Sequence, residues 1–200
     1  MTPDTLVQME LEPPKAATLL PGYLGLKAIG YGCTSGSTII GELRVSELIQ
    51  SHHPTVPTSN PLTAAKAALK LGVTRLGLVT PYRPDVTELM QARFEEAGIV
   101  IQSVGSFYQQ DDRVVGRIRP EAILDAALAI GQNDLVDGVF ISCTSLRAAG
   151  IVGQAEAALG KPVTASNHAL AWHLLRLAGI HDEVAGLGRL FHAQLPDQDI

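Results

Sequence analysis

The chain has 200 residues, of which 46% are hydrophobic and 18% charged, a balance typical of a well-packed globular protein rather than a disordered one. Its formal net charge of −5 argues against a surface for nucleic acid or for an anionic membrane. No apolar stretch approaches the roughly 20 residues that span a bilayer, and the N-terminus lacks the layout of a signal peptide. We therefore expect a cytoplasmic protein with no membrane or nucleic-acid partner, in which thiols stay reduced.

The first part of the chain predicts a short unit of alternating strands and helices. The apolar run Leu26–Tyr31 predicts a strand that leads into Cys33, and a helix is expected over about Ile39–Ser51. A second short strand follows near residues 56–58. Asn60 then begins an alanine-rich helix, either as its N-cap or as a ligand contact.

The middle of the chain continues the alternation. Strands are expected at Leu76–Val79, Ile99–Val104 and Val136–Ile141, where short apolar runs are bounded by turn residues. Helices are expected at Pro84–Gly98 and Pro120–Gly131, where apolar residues recur at helical spacing. This order predicts an α/β fold with parallel sheets.

The order of elements after the first cysteine recurs after the second. Cys143 is followed by an expected helix over about Leu146–Leu159, then by a short strand, a Ser166–Asn167 pair and a last helix ending near Gly179. Two such copies predict two lobes, residues 1–74 joined by 168–200, and residues 75–167. The first copy lacks a strand–helix–strand segment that the second contains, so the N-terminal lobe is expected to be truncated. Its exposed sheet edge then favours a partner, such as a second copy of the chain.

The matching turns Cys33-Thr34-Ser35 and Cys143-Thr144-Ser145 carry the chemistry, and they hold the only cysteines of the chain. A thiol between a strand and a helix meets free N–H groups and the positive end of the helix dipole, which favour the thiolate. Two such thiols across a cleft would form an acid/base or nucleophile/acid pair. The alternatives are two small buried cysteines or a disulfide, which a cytoplasmic setting disfavours.

Other candidate groups give weaker signals. Tyr82 follows a strand, where its hydroxyl could bind a substrate carboxylate or simply pack in its loop. The sequence has no CxxC motif and no paired His/Cys spacing that would predict a metal site. The histidines do not cluster as a catalytic base would require, and His173 is expected to be an amphipathic or interface residue rather than a base.

Four ordered motifs resemble the maleate cis-trans isomerase and arylmalonate decarboxylase branch of the Asp/Glu racemase superfamily, which includes ectoine-utilisation relatives. They are the segments 31–36, 79–82, 142–147 and 162–173. The resemblance implies two pseudo-twofold-related lobes with the active site between them and no metal or organic cofactor. It implies a catalytic pair, Cys33 and Cys143. It also implies that Thr34, Ser35 and Tyr82, with the backbone around Cys143 and Thr144, hold a small carboxylate. Asn167, like Asn60, begins a helix, so it is either an N-cap or a further contact to the substrate.

The resemblance favours an isomerase or racemase of a small carboxylic acid, and a homodimer. Decarboxylases of this branch keep only the second cysteine, so Cys33 makes that alternative weaker. A non-catalytic carboxylate-binding relative is a further alternative, because the N-terminal unit is short. Acidic Asp111-Asp112 stands where relatives place a carboxylate-contacting asparagine, and an acid there would repel a dicarboxylate such as maleate.

Overall fold

The computed structural model describes residues 3–195, with side chains from residue 5 onward. Strands and helices alternate along the chain, as the sequence predicts. The strands are β1 (Ile29–Gly30), β2 (Thr58–Ser59), β3 (Arg75–Thr80), β4 (Val100–Ser106), β5 (Gly138–Ile141) and β6 (Val163–Ala165). The helices are α1 (Pro3–Gln8), α2 (Glu12–Thr18), α3 (Thr34–Ile40), α4 (Glu42–Gln50), α5 (Pro61–Leu69), α6 (Pro84–Glu95), α7 (Asp112–Val115), α8 (Pro120–Gly131), α9 (Val152–Leu159) and α10 (Ser166–Leu177).

The strands form two parallel sheets, which confirms the predicted fold class. A small sheet pairs β1 with β2, and a larger sheet has the order β4-β3-β5-β6. The unit from β1 through α5 has the same order and parallel pairing as the unit from β5 through α10. The truncation of the first unit stays a prediction.

The central strands of the larger sheet are buried on both faces, as strands of parallel sheets packed between helices usually are. Side chains of β3 and β5 have no exposed surface from Leu78 to Val79 and from Val139 to Ile141. Phe94 of α6 meets Phe140 edge to face, with ring centroids 5.4 Å apart. This core holds the carboxyl ends of β3 and β5, and therefore the loops that follow them, in fixed positions.

Helix α10 packs against the first unit although it follows the second in sequence. A separate core cluster joins α5, α10 and the segment near Phe191, with Trp172 completely buried at its centre. At Gly30 of β1 the backbone lies so close to α10 that an added Cβ would be 2.7 Å from Leu174. This packing supports the predicted lobe boundary at about residue 168, which stays a prediction. The predicted N-terminal lobe, residues 1–74 and 168–200, includes residues 1–2 and 196–200, which lie outside the described part of the chain.

Two predicted helices differ from the structure. The helix expected over Ile39–Ser51 is two helices, α3 and α4, because Gly41 has a φ of 95° and interrupts the helical path. The helix expected over Leu146–Leu159 begins only at Val152, after a 3-10 turn. Cys143 is therefore not followed directly by a helix, and the helix-dipole argument for its thiol is wrong.

Candidate active site

Both cysteines line one cavity of about 320 Å³ between the two units. The loop after β1 contributes Gly32 to Ser35, and the loop after β5 contributes Cys143 to Ser145. Tyr82, after β3, and Asp112, the first residue of α7, complete the polar lining. Leu6 and Met9 of the N-terminal helices add an apolar wall. Neither thiol is in a disulfide. The structure thus brings together six of the seven residues that the sequence singles out, the exception being Asn167.

Cys33 lies at the beginning of α3, where the sequence places it. Its sulfur accepts the backbone N–H of Gly36 at 3.3 Å and lies 3.7 Å from the hydroxyl oxygen of Ser35. The side chain is half-buried, with access to the cavity. Because amide N–H groups directed at sulfur stabilise an anion, this environment suits a thiolate that attacks carbon or removes a proton.

Cys143 lies in a strained loop and in a different environment. Its φ of 96° is uncommon for a residue with a side chain, and such strain is found mainly at functional sites. Only 5% of the residue is exposed. Burial raises the pKa of its thiol, and the charge of Asp112 adds to this, while the Ser145 N–H and the neighbouring Tyr82 hydroxyl oppose it. Cys143 is therefore protonated at neutral pH and can act as a proton donor.

Hydrogen bonds across the units hold the two cysteine loops together. The hydroxyl of Ser166 accepts from the hydroxyl of Thr34 and from the backbone N–H of Cys143, each at 2.9 Å. Thr144 donates its hydroxyl to the carbonyl of Gly32, also at 2.9 Å. Ser166 is completely buried. This role of Ser166 is not predicted from the sequence, although the Ser-Asn pair at the start of α10 is a visible signal.

Asn167 contacts the second cysteine loop rather than the cavity. Its amide nitrogen donates to the carbonyls of Thr144 at 3.3 Å and Leu146 at 3.1 Å. It is not the N-cap of α10, since the helix begins at Ser166. Asn60, by contrast, is a true N-cap, because its side chain accepts the N–H groups of Leu62 and Thr63.

Tyr82 presents a buried hydroxyl to the cavity. Its backbone N–H donates to the Thr80 hydroxyl at 2.8 Å, which fixes the loop after β3. The phenol oxygen has no exposed surface and no hydrogen-bond partner at normal geometry. Burial raises the pKa of Tyr82 well above its ordinary range, and the nearby charges of Cys143 and Cys33 raise it further. A neutral donor beside both sulfurs is suited to bind a substrate oxygen.

The cavity carries one acidic side chain and, among its described lining residues, no lysine or arginine. That acid is Asp112, which accepts the hydroxyl of Ser145 at 3.0 Å. Asp111 instead caps α7, accepting the backbone N–H of Arg113 at 2.9 Å and pairing with its guanidinium. The adjacent acids therefore have different roles.

The buried histidines support the structure and are not part of this cavity. His173 pairs with the Ser59 hydroxyl at 2.7 Å, and His168 with the Thr164 hydroxyl at 2.9 Å. Burial lowers the pKa of both rings, so they are neutral near pH 7. Within residues 3–195, no group of three or more His, Cys, Asp or Glu side chains could hold a metal ion. No helix in the same range is long and apolar enough to cross a membrane.

Comparison with known proteins identifies the family. The family model described as arylmalonate decarboxylase matches residues 14–191. The maleate isomerase of Alcaligenes faecalis is 22% identical over 205 residues, covering 98% of this chain and 80% of that protein. The arylmalonate decarboxylase of Bordetella bronchiseptica is 31% identical over 139 residues, covering 68% of this chain and 58% of that protein.

The fold comparison agrees. A mutant of the Nocardia farcinica maleate cis-trans isomerase with a covalently bound succinylcysteine intermediate superposes with a TM-score of 0.86 at 24% identity. The match covers 96% of this chain and 81% of that one. The chain therefore belongs to the arylmalonate decarboxylase family, and within it is similar to maleate isomerases.

Proposed function

We propose that this chain is a cofactor-independent isomerase or racemase of a small carboxylic acid that uses two thiols. The observation that carries the proposal is the position of Cys33 and Cys143, from different units, on one cavity. Their environments differ as a base or nucleophile and an acid should differ: Cys33 receives an amide N–H, whereas Cys143 is buried beside Asp112.

The substrate carboxylate is held by hydroxyls and backbone N–H groups rather than by a cationic side chain. Ser35 and Tyr82 line the cavity, together with the first turn of α3 and the loop at Thr144. Such donors stabilise a carboxylate, and they stabilise an enediolate still better as charge moves onto its oxygens. Thr34 and Asn167 position the two cysteine loops: Thr34 donates a hydrogen bond to Ser166, and Asn167 donates one to the carbonyl of Leu146 in the second loop.

Two reaction courses fit the thiol pair. In a racemisation, the Cys33 thiolate removes the α-proton on one face of the substrate. The hydroxyl and N–H donors that bind the carboxylate hold the resulting enediolate, and the Cys143 thiol gives a proton on the other face. In a cis-trans isomerisation, Cys33 sulfur bonds to one alkene carbon while the Cys143 proton goes to the other. Rotation about the new single bond follows, then return of the proton to Cys143 and loss of the C–S bond. The succinylcysteine intermediate of the Nocardia relative supports the second course.

The charge of the cavity favours a monocarboxylate over a dicarboxylate. The described lining residues supply one carboxylate, Asp112, and no positive side chain to neutralise a second substrate charge. Like charges a few ångströms apart repel, even when partly screened by water. Maleate itself is therefore a poor candidate, and an acid with a neutral or cationic second end is a better one.

Decarboxylation is the second candidate. The family model and the Bordetella relative carry the name of that activity. A decarboxylase would need only the donors that bind the carboxylate and one proton donor, Cys143. The apolar wall of Leu6 and Met9 would then face the part of the substrate that stays after loss of carbon dioxide. A non-catalytic carboxylate-binding protein is the third candidate.

One experiment separates these candidates. Turnover is measured for the wild type, Cys33→Ala and Cys143→Ala on a panel of amino acids, other α-substituted monocarboxylates, maleate and arylmalonates. An isomerase or racemase loses activity in both variants. A decarboxylase loses it only in Cys143→Ala. Full activity in both variants would reject any role of the thiols, and carboxylate binding by calorimetry without turnover of any acid would favour a binding protein.

We also propose a cytoplasmic homodimer. Free thiols in both loops support a reducing compartment. Large apolar side chains exposed near the N-terminal helices support association with a second copy, among them Leu19 (81% exposed), Tyr23 (89%) and Leu43 (81%). Sedimentation at micromolar concentration tests the dimer, and a monomer mass throughout would contradict it.

A further inference from the structure

Tyr31, two residues before Cys33, has no part in the reaction described above. Its ring packs with the apolar side chains around β1 and α4. Its phenol oxygen is completely buried and has no hydrogen-bond partner. A buried hydroxyl without a partner is unfavourable and rare, so this one requires an explanation.

Gly36 shows where that hydroxyl lies. A Cβ added to Gly36 would be 3.2 Å from the Cys33 sulfur and closer still to the Tyr31 hydroxyl oxygen. Both atoms thus lie against the same α-carbon in the first turn of α3. The position needs glycine for this reason, since a side chain would separate or displace the two groups. The Cys33 sulfur already accepts the Gly36 N–H here, at 3.3 Å.

The Tyr31 phenol keeps its proton at neutral pH. Burial raises the pKa of Tyr31 well above its ordinary range, and the adjacent Cys33 thiolate raises it further. It can therefore donate a hydrogen bond but cannot serve as a base. The nearest group that would gain from this donor is the sulfur that the proposed reaction ionises.

We infer that Tyr31 is a positioning residue for Cys33, and that its buried hydroxyl donates a hydrogen bond to the Cys33 sulfur once the thiolate forms. The proton stays on the phenol oxygen, and no bond is made or broken. Each reactive sulfur then has a tyrosine beside it: Tyr31 at Cys33, and Tyr82 at Cys143. The inference rests on the proposed role of Cys33 as a thiolate, but its test needs no substrate.

The test follows alkylation of Cys33 by iodoacetamide, with mass spectrometry, across neutral and alkaline pH in a Cys143→Ser background. In Tyr31→Phe, we expect the pH midpoint of alkylation to rise by about one unit and the rate at neutral pH to fall about tenfold, as loss of one charge-assisted hydrogen bond predicts. The melting temperature should not fall, because the variant removes an unpartnered buried hydroxyl. Tyr23→Phe, on a side chain that is 89% exposed, is the matched control and should change neither quantity.

A second variant, Gly36→Ala, adds the methyl group that displaces the phenol and should shift the midpoint in the same direction. An unchanged midpoint in Tyr31→Phe would overturn the inference, whether or not the variant is less stable, because packing alone would not change the ionisation of Cys33. A shifted midpoint in a protein that turns over no carboxylate would support Tyr31 while contradicting the proposed function. Turnover that requires both thiols, together with an unshifted midpoint in Tyr31→Phe, would support the proposed function and overturn the inference about Tyr31.

Discussion

Replacing Ser166 with alanine should weaken the contact between the two cysteine loops more than any other conservative change at the site. The Ser166 hydroxyl is the acceptor for two groups, the Thr34 hydroxyl and the Cys143 backbone N–H. All three residues are buried, so water cannot replace the lost acceptor. Each buried group left without a partner costs about 1–3 kcal/mol, and the Thr34 hydroxyl can partly compensate by rotating. The expected loss in the free energy of unfolding is therefore about 2–4 kcal/mol.

The assay is urea unfolding followed by tryptophan fluorescence, since Trp172 is buried in the cluster that joins α5 and α10. Ser51→Ala is the control, because the Ser51 hydroxyl likewise bonds two groups, the carbonyl of Leu48 at 2.8 Å and the ring nitrogen Nδ1 of His52 at 3.0 Å, but on an exposed residue. It should lose less than about 0.5 kcal/mol. A loss in Ser166→Ala no larger than in Ser51→Ala would refute the reasoning that this serine couples the loops.

Two further predictions concern charge and pH. Asp112→Asn should lower KM for dicarboxylates about fivefold, because it removes one partly screened like charge from the cavity. Asp111→Asn is the control: it keeps an N-cap outside the cavity and should leave KM unchanged. Equal effects of the two variants would contradict the claim that the charge of Asp112 disfavours dicarboxylates. Burial raises the pKa of Cys143 above its ordinary 9.0, so the stability contributed by its neutral thiol is fully present below about pH 9 and lost as pH rises through the raised pKa. Chemical denaturation between about pH 8 and pH 9.5, below the ordinary tyrosine pKa of about 10, should show this decline in the wild type and a flatter profile in Cys143→Ser. Identical profiles would show that the thiol is not the cause.

The local features of this fold could be predicted from the sequence because neighbouring residues determine them. Proline at the first turn of α6 and α8, and short apolar runs bounded by turns, depend on nearby chain alone. The role of Asn60 as an N-cap is of the same kind. The repeat of two cysteine turns could be predicted because the same local order of elements occurs twice.

The features that could not be predicted depend on distant parts of the chain. Ser166 accepts the hydroxyl of a residue 132 positions away, and no spacing pattern reports that contact. The positive φ of Cys143 is held by the surrounding loop, and it directs the chain away from the helix that the sequence favours. Which of Asp111 and Asp112 faces the cavity is decided by the single turn of α7, since one residue caps the helix and the other lies in its first turn.

The central claim is that the two thiols act together on one substrate. Its most direct test is kcat for Cys33→Ala, Cys143→Ala and the double variant on the best acid from the panel. Residues that act as a unit are strongly non-additive, so each single variant should lose about 10²–10⁴-fold and the double variant should lose little more. Losses that multiply in the double variant, or a single variant with wild-type kcat, would contradict the account.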